Sequence, residues 1–152
     1  MKLVRQSDGN WQYAVNQNEF DLLWHIIKEF PVNESASAHI SRTDPDPKSL
    51  EREKLLNESL AEHRKELKRQ AGNLLSTNKL KKSGKRHLLT LTDEEREILL
   101  QILNDIRVGC WYSLGKPETL EMQQFDGSPQ ILRFQSLMNI AGFFEHHLIS
   151  SE

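Results

Sequence analysis

The segment 92–114, TDEEREILLQILNDIRVGCWYSL, limits the folds open to this chain more than any other stretch, because it reads as one long helix that needs a core to lie against. Thr92 with Glu95 three residues later forms a capping box, and Asp93 and Glu94 place negative charge where the first N–H groups of a helix are unpaired. Leu99, Ile102, Leu103, Ile106, Cys110 and Leu114 recur at three- and four-residue spacing and so share one apolar stripe. Gly115 can adopt the left-handed cap and Pro117 forbids continuation, so the helix stops there. At 1.5 Å per residue it is about 34 Å long, roughly the width of a small domain.

Val108, Trp111 and Tyr112 lie off the stripe and leave the second half of this helix apolar nearly all round. Such a surface predicts a central helix buried on several sides. The alternative is that Trp111 and Tyr112 form an exposed docking patch. The same half carries Asn104, Asp105 and Arg107. Residues two apart on a helix point away from each other, so Asp105 and Arg107 cannot pair and each needs a partner from another element. A structural polar network of Asn104, Asp105 and Arg107 is the reading preferred over catalysis. An enzyme site would need all three side chains to line one cleft.

The other segments supply the remaining layers. Ser7-Asp8-Gly9-Asn10 is a turn signal between two short alternating runs, so 1–15 reads as a β-hairpin with Leu3, Trp11, Tyr13 and Val15 on one face. A lone two-stranded ribbon is unstable in water, so that face must lie on helices. Asn16 or Asn18 caps a helix over 16–30 with Phe20, Leu23, Trp24 and Ile27 as its stripe and His25 beside it. Residues 31–45 form a loop with no periodicity, and Asp46-Pro47 opens a long charged helix over 46–75. Its narrow seam of Leu56, Leu60, His63, Leu67, Ala71 and Leu74 suits a bundle, with a homodimeric coiled coil as the alternative. Residues 76–91 read as a loop, and Lys79, Lys81, Lys82, Lys85 and Arg86 within it are candidate phosphate contacts. Ser128-Pro129 starts a last helix over 129–149, where Ile131, Phe134, Leu137, Met138, Ala141, Phe144 and Leu148 repeat at helical spacing.

Composition narrows the chemistry. At 152 residues the chain reads as a single domain, and a net charge of -2 argues against a generally basic nucleic-acid binder. One cysteine excludes an internal disulfide, and no stretch reaches the length of apolar sequence a membrane span needs. The expected location is cytoplasmic. Six histidines do not make a metal site: Glu62-His63 and Glu145-His146-His147 are adjacent in sequence, where helical carboxylate sites need a three-residue spacing. Cys110 sits on the apolar stripe rather than in an electropositive, accessible setting. No phosphate-cradling glycine loop, nucleophile elbow or C-x-x-C motif is present, so no catalytic residue and no cofactor is expected.

Three stretches together carry a resemblance. Asp8-Gly9 followed by Leu22-Leu23, the charged helix 58–75, and Leu103-Asn104-Asp105-Ile106-Arg107 followed by Leu114-Gly115 are similar to a bacterial family of small uncharacterised proteins, the domain of unknown function numbered two thousand seventeen. Gly109-Cys110-Trp111 stands where that family is more aliphatic. The resemblance implies no activity, cofactor or catalytic residue. Because members are often encoded beside ClpS, the adaptor of the Clp protease, it does imply an accessory role in proteolysis and a Clp component as partner.

The sequence therefore predicts a mainly α domain, an N-terminal β-hairpin packed on a bundle of about four helices with a buried central helix. Its leading function is that of a noncatalytic protein-interaction or regulatory protein with a protein partner. Binding of nucleic acid through the basic loop 79–87 is the second reading, and an enzyme built on Asn104, Asp105 and Arg107 the third.

Overall fold

The computed structural model describes residues 1–32, 47–76, 80–115 and 128–150. The expectations for most of the 31–45 loop, for Asp46 as a cap, for Lys79 and for Pro117 as a stop fall outside these residues. Within them the chain is mostly helical, in the order β1 (Lys2–Ser7), β2 (Asn10–Val15), α1 (Gln17–Lys28), α2 (Pro47–Ser76), β3 (Leu80–Ser83), β4 (Arg86–Thr92), α3 (Asp93–Ser113) and α4 (Pro129–Ile149).

Helix starts follow the local chemistry. The Asn16 side chain accepts from the Glu19 N–H at 2.8 Å, and the Glu19 carboxylate accepts from the Asn16 N–H at 3.0 Å. Thr92 and Glu95 make the same reciprocal pair at the head of α3, at 3.1 and 2.9 Å. Each satisfies two donors that a helix start leaves open. Ser128 precedes α4, but its side chain makes no capping bond there, and Pro129 at the first helical position supplies the start. Gly115, at φ +83°, takes the left-handed conformation just past α3.

Two expectations are corrected. Residues 76–91 are not simply a loop. β3 and β4 form a second antiparallel hairpin, and β4 also pairs with β2, giving a four-stranded sheet in the order β1-β2-β4-β3. The physical cause is the Leu-Leu-Thr-Leu-Thr run of β4, which suits a half-buried strand, joined to β3 through Gly84 at φ +65°, a conformation glycine adopts without strain. Nor does the burial of α3 extend to Val108, Trp111 and Tyr112. Leu99, Ile102, Leu103, Ile106 and Cys110 are buried, but Val108, Trp111 and Tyr112 are 51%, 38% and 36% exposed. At 100° per residue these three lie about 140–240° around the helix from Ile106, away from the core stripe.

One core joins the layers. Tyr13, Val15, Leu89 and Leu91 from the inner sheet face meet Leu23 and Ile26 of α1, Leu67, Ala71 and Leu74 of α2, the α3 stripe, and Leu137, Ala141, Phe144 and Leu148 of α4. Burying a side chain such as Leu or Phe contributes about 1.5–3 kcal/mol, so this cluster dominates stability. α3 and α4 share the most extensive helix pairing, whereas α2 meets α3 less closely. The first half of α2 leaves Leu50, Leu55 and Leu56 exposed. The strand-to-helix joint is tied by polar bonds that sequence reading missed. Trp11 Nε1 donates to Asp93 Oδ1 at 2.6 Å, and the Arg96 guanidinium lies 4.1 Å over the Trp11 ring. Arg96 donates to Tyr13 Oη and to the Leu148 carbonyl, which also accepts from the Tyr13 hydroxyl. Burial raises the Tyr13 phenol above its ordinary value against the opposing pull of Arg96, so it stays a neutral donor.

Candidate functional site

The residues singled out on α3 divide between its two flanks. Asp105 faces α2, where Oδ1 lies 3.8 Å from Arg64 Nε. That is an ionic contact too long for a hydrogen bond, and the buried Arg64 Nε has no hydrogen-bond partner. Burial raises the Asp105 carboxyl above its ordinary value, with Arg64 and His63 pulling the other way. Arg107 faces α4 and donates from NH1 to Glu145 Oε2 at 2.5 Å. Glu145 is 8% exposed, and its other oxygen is buried without a partner. The adjacent α4 position Gly142 leaves the guanidinium room, since a Cβ there would stand 3.9 Å from Arg107 Nε.

Beside that pair Asn104, Arg107, Val108, Trp111 and Met138 line a shallow pocket of about 220 Å³ on the α3–α4 seam. The pocket thus unites Asn104 and Arg107 with Trp111, and Asp105 is not part of it. On α3 this pocket brings together two of the three polar residues, Asn104 and Arg107, while Asp105 is turned to α2. The pocket offers an aromatic face, two aliphatic side chains, an amide and a half-exposed guanidinium whose Nε and NH2 make no bond to a described residue. Such a set suits an apolar anchor carrying a hydrogen-bond acceptor. It contains no nucleophile with an adjacent base. Glu145 and Met138, four residues before Gly142, were the members that sequence reading did not assign to a site; only the contact between α3 and α4 brings them in.

A second depression of about 560 Å³ runs between α2 and the first half of α3, with Leu67 and Ile98 among its apolar lining and His63, Glu66, Asp93, Glu94 and Glu97 around it. Glu66 is already engaged by Arg69, which holds its carboxyl below the ordinary value, and Asp93 by Trp11. Among the described residues no group of three or more His, Cys, Asp or Glu side chains is placed to hold a metal ion. His146 is exposed, and His147 packs edge-on to Phe143 with ring centroids 4.4 Å apart. Cys110 is fully buried and its thiol is pushed up to about 11 by burial, so it is a packing residue rather than a nucleophile. Of the candidate phosphate contacts, Lys81, Lys82, Lys85 and Arg86 all sit exposed on the β3–β4 hairpin.

No helix among the described residues is long and apolar enough to cross a membrane. No family model, no curated protein and no solved structure matches this chain.

Proposed function

We propose that the protein is a noncatalytic cytoplasmic interaction or regulatory protein that engages a protein partner through the α3–α4 seam. The observation that carries this reading is the joining of Trp111 and Arg107 with Asn104, Val108 and Met138 in one surface pocket, braced from beneath by buried Glu145. Tryptophan and arginine are the residue types that most often dominate binding energy at interfaces, and a guanidinium held by a buried carboxylate is already positioned before a partner arrives. The motif resemblance of Leu103-Asn104-Asp105-Ile106-Arg107 and Leu114-Gly115 to the domain numbered two thousand seventeen, which no family model match accompanies, makes components of the Clp protease the first partners to test.

The test is direct binding of the purified protein to the purified Clp adaptor, chaperone and protease subunits, followed by Trp111→Ala and Arg107→Ala. A hot-spot truncation costs about 2 kcal/mol or more, so either variant should weaken binding by roughly thirtyfold; the thermal melt of Trp111→Ala should stay close to that of the parent, while Arg107→Ala, which leaves buried Glu145 without its partner, should melt lower but still fold cooperatively. Binding that survives both substitutions, or turnover of a small-molecule substrate that Arg107→Ala abolishes in a folded protein, would replace this reading.

A further inference from the structure

The basic segment has a larger setting than its own hairpin. Register and burial assign the two faces of the sheet. Tyr13, Val15, Leu89 and Leu91 point into the core, so Gln12, Ala14, Leu88 and Thr90, which alternate with them, lie on the opposite face. Ala14, only 9% exposed between longer neighbours, and half-buried Leu88 do not belong to the core cluster or to the side chains packed against it. The pairings Lys2 with Ala14, Arg5 with Gln12 and Lys81 with Leu88 put those three cations on this outer face, and Arg86, two residues before Leu88, joins them. Lys82 and Lys85 stand at the edge strand and the turn beside it.

All six of these cations are exposed, and none pairs with a carboxylate among the described residues. The four strands contain five Lys or Arg residues and no Asp or Glu. The whole chain nevertheless holds more acidic than basic residues, 22 against 20, so the charge is segregated onto the sheet. Lysines at strand edges also discourage edge-to-edge pairing. That accounts for Lys2 and Arg5 on β1 and for Lys81 and Lys82 on β3, the two edge strands, but not for Arg86 on the central strand β4, nor for the exclusion of every carboxylate from the strands.

We infer that this outer sheet face is a docking surface for the phosphate backbone of double-stranded nucleic acid. Lys2 and Arg5 on β1 form one column of charge, and Lys81 with Arg86 on the β3–β4 hairpin forms the other. With strands spaced about 4.8 Å apart, β1 lies roughly 14 Å from Lys81 on β3 and roughly 10 Å from Arg86 on β4, bracketing the ~12 Å width of a B-form major groove, with Gln12, Ala14, Leu88 and Thr90 on the two strands between β1 and β3. That spacing lets each column follow a different phosphate ridge. A duplex fits better than a single strand, because the outer-face residues of the two central strands include no aromatic side chain on which a base could stack. No base-reading arrangement accompanies the cations, so the contact is to backbone and independent of sequence. This surface is separate from the α3–α4 pocket, and neither reading depends on the other.

The experiment is fluorescence anisotropy with a labelled mixed-sequence duplex across a salt titration, beside a single strand of equal length, polyglutamate and phosphatidylserine vesicles. With four to six phosphate contacts, log K should fall against log salt with a slope of about −4 to −5, and the duplex should bind at least tenfold tighter than the other three probes. Lys2→Gln with Arg5→Gln, and separately Lys81→Gln with Arg86→Gln, should each flatten the slope by about two units. Lys54→Gln with Lys65→Gln on the exposed side of α2 should leave it unchanged, and Lys2→Arg with Lys81→Arg should retain binding. Thermal melts establish that each variant is folded. The inference is overturned by absence of duplex binding at low salt, by a slope that the sheet variants do not alter, or by equal affinity for polyglutamate or vesicles.

Discussion

α4 and α2 flank the same helix, yet they hold it in different ways. On the α4 side the core runs without a break from Leu137 to Leu148, and the ion pair at its border is a direct hydrogen bond, Arg107 to Glu145 at 2.5 Å. On the α2 side the buried residues among those described are Leu67, Ala71 and Leu74, a depression of about 560 Å³ opens beside Leu67, and Arg64 stands 3.8 Å from Asp105. Asp105 and Arg107 are two residues apart in sequence, so the contrast comes from the facing helix. A carboxylate in a packed seam can hold its partner in one place. A carboxylate buried with its cation too far off for a hydrogen bond is desolvated without full compensation, which is why Asp105 is raised above its ordinary value.

The largest expected effect lies at the centre of the packed side. Cys110 is buried in the α3 stripe with its thiol pushed up to about 11 from 9.0, which alone lowers the thiolate fraction at neutral pH about a hundredfold. Alkylation should therefore be at least that much slower in the folded protein than in denaturant, and its rate should report opening of the α3–α4 seam. Labelling at the denatured rate would mean that the seam opens freely and the contrast is false.

Core truncations come next. Phe144→Ala should cost about 3–5 kcal/mol in denaturant unfolding, and Leu67→Ala, at the margin of the groove, nearer 2 kcal/mol. Equal costs would show that α2 is as firmly seated as α4. A double-mutant cycle between Arg107→Ala and Glu145→Ala should return a coupling of about 1 kcal/mol, discounted because Arg107 is half-exposed, while the cycle between Arg64→Ala and Asp105→Ala should return less than about 0.5 kcal/mol. The reverse order would dissolve the distinction.

The smallest effects are in pH dependence, and they have opposite signs. The folded-state value of Asp105 is raised, so its contribution is fully present below the ordinary 3.8 and is lost as pH rises through the folded value. Asp105→Asn should become progressively more stable relative to the parent over that window and then reach a plateau. For His147 burial, reinforced by the Met1 ammonium and His146 and opposed by Glu19, depresses the imidazole below 6.5. Its contribution is present above 6.5 and is lost as pH falls through the depressed value, so His147→Gln should flatten the stability curve below 6.5. A matched set of urea titrations from pH 3 to pH 8 would read both.

What could be read from the residues alone follows the same division. Local signals placed α1, α3 and α4 and the first hairpin to within a residue or two, because Asn16, Thr92, Pro129 and Gly115 act on the backbone beside them. The β3–β4 hairpin was passed over because its lysines masked two available signals, the glycine turn at Gly84 and the buried alternation of Leu89 and Leu91. Burial of Val108, Trp111 and Tyr112 was overestimated because helical periodicity states which residues share a face, not how many neighbours cover it. The divergence of Asp105 and Arg107 followed from helix geometry. Their partners Arg64 and Glu145 did not, since each is fixed only when three helices meet.

The position of β4 also has a bearing on how the chain reaches its native state. That strand lies between β2 and β3 although it follows β2 by some seventy residues, and the Asp93 N–H just after it bonds to the Gly9 carbonyl of the first turn. During synthesis the opening ribbon must therefore wait, with one edge unsatisfied, until the polypeptide has grown past Thr92. A nascent chain halted after Ser76 would expose that edge, whereas one extended through α3 could zip the sheet and dock it in a single cooperative event.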